Sequence, residues 1–126
     1  MKYKHLMLDI ETMGSKNNSA IVAVCAVEFN LDEALKGLSF FIDDNEYQVW
    51  GNSARFDCGI LVNAYEKLEL GVPWKHFNER DVRTLVAFKP SVKKNMWFSG
   101  TPHYAPDDCK HQIKYCHEIF KTLTSF

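Results

Sequence analysis

The chain has 126 residues, 46% of them hydrophobic, and 15 basic against 16 acidic side chains give a net charge of −1. This suits one domain over residues 1–126 with its own core, and it is not the strongly basic composition of a protein held on duplex nucleic acid by phosphate contacts alone. The longest apolar run, Ala20 to Val27, is far too short to cross a bilayer, and the opening MKYKHLMLDIE meets an acid at Asp9 where a secretion signal needs an apolar stretch, so a cytoplasmic, membrane-free protein is expected.

In chain order, His5 to Glu11 alternates, with Leu6, Leu8 and Ile10 on one side and Met7, Asp9 and Glu11 on the other, the two-residue period of a strand. Residues 13–19 read as a turn. Ala20 to Phe29 is continuous and Val-rich, a strand buried on both faces. Asn30 can cap a helix over Leu31–Ile42, with Glu33 completing a capping box, although SFFI within that stretch also suits a strand. Gln48 to Gly51 is a short strand ending in a glycine turn. Phe56 to Leu70 is a helix with Ile60, Leu61, Ala64, Tyr65 and Leu68 on one face and Gly71 at its stop position. A further strand is expected within Asp81–Phe88, then a loop over Lys89–His103. A last helix from about Pro106 carries Cys109, Ile113, Cys116, Phe120 and Leu123 as its packing stripe. Mixed strands and helices give an α/β layout.

Charge is uneven: Glu28 to Asp57 holds seven acids and two bases, and Lys75 to Lys94 six bases and two acids. An acidic metal pocket beside a basic strand-holding surface gives this mixture, and so do ordinary solvated faces. The cysteines (Cys25, Cys58, Cys109, Cys116) form no CxxC pair and read as reduced small hydrophobes.

Three segments carry candidate chemistry. In LDIET, strand periodicity puts Asp9 and Glu11 on one face, about 6–7 Å apart along the backbone, where two divalent ions roughly 4 Å apart are bridgeable. In WGNSARFDCGIL, Asp57 follows a glycine turn at a helix start, in the company of Asn52 and Phe56; it is also simply an ordinary residue for that position. In HYAPDDCKHQ, His103 precedes the last helix, and either Asp107 or Asp108 can serve the helix N-terminus or turn towards a metal.

Taken together, DxE, an FD in a Gly/Asn turn and H-x4-D near the carboxyl end resemble the three motifs of the DEDDh 3′-5′ exonucleases. Within that family the chain is most similar to short phage and prophage members, in which RDVRT (Arg80 to Thr84) also recurs. The resemblance, over residues 5 to about 120, implies an RNase H-like mixed sheet flanked by helices. Set against that family, the chain is expected to lack the third strand and one helix, as if by an internal deletion after Asn30. It implies that Asp9, Glu11, Asp57 and Asp108 ligate two cations, Mg²⁺ or Mn²⁺, with Asp9 bridging, and that His103 is the general base. The implied partner is a single-stranded DNA or RNA 3′ end. Thr12, Asn52, Phe56, Trp97 and Tyr104 are candidates for contacting it, Trp97 and Tyr104 by stacking on bases or, alternatively, as core residues. A catalytically weak remnant that binds metal or nucleic acid is the first rival. A zinc-binding module built on His103, Cys109, His111, Cys116 and His117 is the second. Deleting the third strand would bare an edge of the 20–29 strand, to be covered by Leu38–Ile42 folding back as a strand or by the same strand of a second copy; the capping signal at Asn30–Glu33 favours the second, a homodimer.

Overall fold

The computed structural model describes residues 4–12, 21–24, 31–42 and 46–125. The elements are β1 (Lys4–Leu8), β2 (Ile10–Thr12), β3 (Ile21–Val24), α1 (Leu31–Ile42), β4 (Tyr47–Gly51), α2 (Ala54–Lys67), a 3-10 turn at His76–Asn78, β5 (Glu79–Asp81), α3 (Val82–Phe88), α4 (Pro90–Asn95) and α5 (Ala105–Thr124). Strands β1, β4 and β5 form a parallel sheet in that order, in register Leu8 with Gly51 and Gly51 with Asp81. Strands β2 and β3 form a separate antiparallel pair.

Side-chain alternation sorts the sheet's two faces. Leu8 and Val49 join Leu35 and Ile42 of α1 and Ile60, Leu61 and Tyr65 of α2 in one core. Met7 and Trp50, one residue out of phase, face a second core made by Val82 and Leu85 of α3 and Tyr115, Cys116 and Ile119 of α5. The sheet is therefore covered by helices on both sides, as a parallel sheet must be. Buried polar groups find partners across the first core. The Tyr65 hydroxyl donates to the Leu35 carbonyl at 2.8 Å and accepts from Ser39 Oγ at 3.2 Å, and Gln48 Nε2 donates to Asn78 Oδ1 at 3.2 Å.

Several expectations need correcting. The single strand expected over His5–Glu11 is broken at Asp9 into β1 and β2, which belong to different sheets. Residues 82–88 are helical, and only Glu79–Asp81 is strand. The reason is Asp81, whose carboxylate accepts from Arg83 N at 2.8 Å and starts α3 as an N-cap. Within the expected loop, Pro90 opens α4 at the first-turn position that tolerates it. Helix α2 ends before Gly71. Glu69 takes the left-handed residue (φ 56°), with Leu70 N donating to Tyr65 O at 2.9 Å and Glu69 N to Glu66 O at 3.1 Å, a Schellman closure. Leu31–Ile42 is helix, so SFFI is not a strand.

The stripe on α5 is also rotated from expectation. Cys109 and Cys116 are buried, but Ile113, Phe120 and Leu123 are exposed, and Gln112, Tyr115 and Ile119 take the inner positions. Of the 20–29 strand, 21–24 are paired with β2, while Asn30, Cys25 and the rest of the edge behind the homodimer expectation lie outside the described residues. No described helix is long and apolar enough to cross a membrane.

Candidate active site

Parallel strands put their carboxyl ends at one edge, where open α/β sheets build sites. At that edge Asp9 follows β1, Asn52 follows β4 and Asp81 closes β5. Gly51 makes the close approach possible: a Cβ there would lie 3.1 Å from both Cβ and Oδ2 of Asp57. Asp57, in the first turn of α2 and only 2% exposed, is thereby held against the strand end.

The start of α2 is secured from across the sheet. Ser53 adopts the left-handed conformation (φ 75°) and gives no side-chain cap. Instead the Asp81 carboxylate accepts from Ser53 N at 3.3 Å and Ala54 N at 2.9 Å while it also caps α3. One carboxylate thus serves two helix N-termini, where the macrodipole favours it.

The third wall is the start of α5. Asp107 accepts from Thr101 N at 2.9 Å, and its carboxylate packs on Gly100, where a Cβ would come within 2.5 Å at φ +112°. Asp108 accepts from His103 N at 3.3 Å, and His103 itself holds a left-handed backbone, φ 66°. The two adjacent acids are therefore distinguishable: Asp107 braces the 100–103 loop and Asp108 faces the site.

These walls enclose two adjoining hollows that share Asp9 and Asn52. One, about 280 Å³, is completed by His103, Asp108, Lys93 and the α5 residues His111, Gln112 and Tyr115. The other, about 380 Å³, is completed by Ser53, Phe56, Asp57 and Arg83. Both lie around the small end of ligand-pocket sizes. Asp9, Asp57, Asp108 and His103 are thus brought to one edge, with Asn52 between and Phe56 lining the Asp57 side. The side chains of Glu11 and Thr12 lie outside the described part; their backbone continues in β2 directly from Asp9. Trp97 is 88% and Tyr104 57% exposed, so neither is a core residue, and neither lines either of these two hollows.

Residues that sequence reasoning passed over join them. Arg83 and Lys93 place one cation in each hollow. RDVRT was the available signal for Arg83 and for the positioning carboxylate Asp81. Asp108, His111, Gln112 and Tyr115 fall on one α5 face by i, i+3, i+4, i+7 spacing. The His111 ring packs tilted against Phe98, centroids 4.7 Å apart, and edge-on to Tyr115 at 5.2 Å. Burial, with Lys93 and Lys114 adding and Asp108 opposing, holds its pKa below the usual histidine value. Burial also pushes the Tyr115 phenol up.

Among the described residues no three His, Cys, Asp or Glu side chains gather tightly enough to enclose an ion. The zinc-module reading accordingly has no described ligand set. The Cys109 thiol donates to the Met7 carbonyl at 3.8 Å, and burial pushes the Cys116 thiol up to about 11, away from the thiolate zinc requires. For Mg²⁺ the requirement is looser, since that ion is usually held by one or two carboxylates together with water and substrate phosphate. Asp9 with Asp57 on one side, and Asp9 with Asp108 on the other, is a donor set of that kind.

A family model described as the 3′-5′ exoribonuclease Rv2179c-like domain matches residues 30–120, more than half of the chain. The matched span includes Asp57, Asp81, His103 and Asp108 and begins after Asp9 and Glu11. No curated protein and no solved structure matches the chain.

Proposed function

The chain belongs to the 3′-5′ exoribonuclease Rv2179c-like domain family, and from that membership we propose that it hydrolyses single-stranded RNA one nucleotide at a time from the 3′ end, at the carboxyl edge of the parallel sheet. The observation that carries the proposal is Asp9, common to two hollows of which one contains Asp57 and the other Asp108 and His103.

Asp9, Glu11, Asp57 and Asp108 are the residues that would hold two Mg²⁺ or Mn²⁺ ions, Asp9 from the shared position. Bound there, such ions supply charge neutralisation at the phosphodiester and acidify the attacking water. His103, exposed on its loop, takes the water's proton. The water oxygen bonds to phosphorus and the bond from phosphorus to the 3′ oxygen of the preceding nucleotide breaks. A nucleoside 5′-monophosphate leaves, and a new 3′ hydroxyl remains on the strand. Arg83 and Lys93, exposed cations that each line one hollow, would take phosphate oxygens of the strand. Trp97 and Tyr104 offer exposed aromatic faces to bases.

The test is a 5′-labelled single-stranded RNA incubated with the protein in Mg²⁺, in Mn²⁺ and in EDTA, with products resolved by length. A ladder shortening from the 3′ end with mononucleotide release, abolished by EDTA, is expected. Binding without shortening in both metals would identify a non-catalytic descendant and overturn the proposal.

A further inference from the structure

The hollow containing His103 and Asp108 has a second chemical character besides its acids. Gln112 is 6% exposed, yet its Oε1 has no hydrogen-bond partner among the described residues. From the end of β4, Asn52 lines the same hollow, and its Oδ1 is likewise buried without a partner among the described residues. A buried acceptor is costly to leave unsatisfied, and two in one hollow mark a place where a hydrogen-bond donor belongs.

A neutral hydroxyl brought in with the substrate is a donor that suits a hollow of this size. Phosphate oxygens accept rather than donate, so they cannot satisfy these two acceptors. The α5 face sets the scale. Gln112 lies one turn beyond Asp108, so its amide sits deeper along the same wall than the carboxylate that faces the reacting phosphate. Next to the phosphate of a 3′-terminal nucleotide comes its sugar, whose hydroxyls are the donors available at that depth. A ribose carries two, a deoxyribose one.

We propose that Gln112, together with Asn52, accepts hydrogen bonds from the terminal ribose hydroxyls and is the residue pair by which this site distinguishes RNA from DNA. The inference rests on the exoribonuclease reading above and names the chemistry by which that reading acquires its substrate class. A site built to hydrogen-bond a hydroxyl discriminates strongly against the analogue that lacks it, because its own polar groups are then left buried and unpaired.

The experiment compares kcat/KM for one RNA oligonucleotide whose 3′-terminal residue carries 2′-OH, 2′-H or 2′-F, using the full chain with Mg²⁺. Fluorine is close in size to hydroxyl and does not donate. The 2′-OH substrate is expected to exceed both others by about tenfold or more, the size of one such hydrogen bond, and 2′-F should behave as 2′-H. Gln112→Ala and Asn52→Ala should each narrow the 2′-OH to 2′-H ratio by several-fold, a change that general loosening of the fold would not produce. Should Gln112→Ala fail to fold, the wild-type series and Asn52→Ala still decide the matter. Equal rates on 2′-OH and 2′-H, or a 2′-F substrate as good as 2′-OH, overturns the inference. No shortening of any of the three by the wild-type protein would instead count against the exonuclease proposal itself.

Discussion

Removing the Asp81 carboxylate tests how the site is held. In the wild-type protein that one group accepts from Ser53 N and Ala54 N at the start of α2 and from Arg83 N at the start of α3. Asp81→Ala leaves both N-termini uncapped, because Ser53 makes no side-chain cap of its own. A lost cap costs typically ~1 kcal/mol and up to ~2. Two caps on a half-buried group therefore amount to about 2–3 kcal/mol. At roughly 4 °C per kcal/mol for a chain of this size, Tm should fall by roughly 8–12 °C. Asp81→Asn keeps one carbonyl oxygen and should lose about half as much. Thermal unfolding followed by circular dichroism, with RNA hydrolysis measured well below each midpoint, separates stability from positioning. Activity should fall even where the variant is fully folded, since Asp57 sits in the turn that Asp81 fixes. A midpoint for Asp81→Ala within about 2 °C of wild type would refute the shared-cap argument.

His103→Ala should reduce the rate by about 10²–10⁴ with the Mg²⁺ dependence little changed, whereas Asp108→Asn should shift the Mg²⁺ activation curve to higher concentration, and Asp107→Asn, which keeps an acceptor for Thr101 N, should do little; equal losses at Asp107 and Asp108 would reverse their assignment. Three carboxylates and two cations, Arg83 and Lys93, line the joined hollows, so Mg²⁺ at about 100 times its Kd should stabilise the fold by about 2.7 kcal/mol, read as a rise in Tm that EDTA reverses; an unchanged midpoint sinks the metal assignment independently of activity. Burial, with Glu79, Asp57 and Asp81 adding, pushes the Cys58 thiol from 9.0 up to about 12. Its folded pKa is thus raised, so its contribution is intact below pH 9 and is lost as pH rises from about 9 towards 12, while the unfolded chain ionises first; urea midpoints should fall across that window and fall less in Cys58→Ala.

Periodicity located the elements that bury a whole face. Leu35 and Ile42 on α1, and Ile60, Leu61, Ala64 and Tyr65 on α2, are inside as their spacing implies, whereas Leu68, past the end of α2, is exposed. It failed where one residue redirects the chain. Val82–Phe88 has apolar positions compatible with either period, and what makes it helix is a hydrogen bond from Arg83 N to Asp81, a contact that hydrophobic pattern does not encode. Glu69 pre-empts Gly71 because the Schellman bonds close from Tyr65 and Glu66 whether or not the left-handed residue is glycine. On α5, counting apolar residues alone chose Ile113 and Phe120, since it could not register a buried Gln112. That same omission hid a wall of the site.

The site residues were legible for a different reason. Asp9, Asp57 and Asp108 lie at element boundaries, directly after β1, in the first turn of α2 and in the first turn of α5. A parallel sheet delivers such boundaries to a common edge whatever the lengths of the intervening segments. The order of motifs along the chain is therefore enough to forecast that they meet. It says nothing about what keeps them apart from one another or from solvent. Those tasks fall to Gly51, which makes room for Asp57, to Asp81, which ties two helix starts to the strand ends, and to Asp107, which folds the His103 loop back onto α5. Each is a short polar or glycine contact between segments distant in sequence or crossing a turn, with no periodic signature. A site of this kind is thus half written in spacing and half in hydrogen bonds. The second half governs whether the first has the geometry to act.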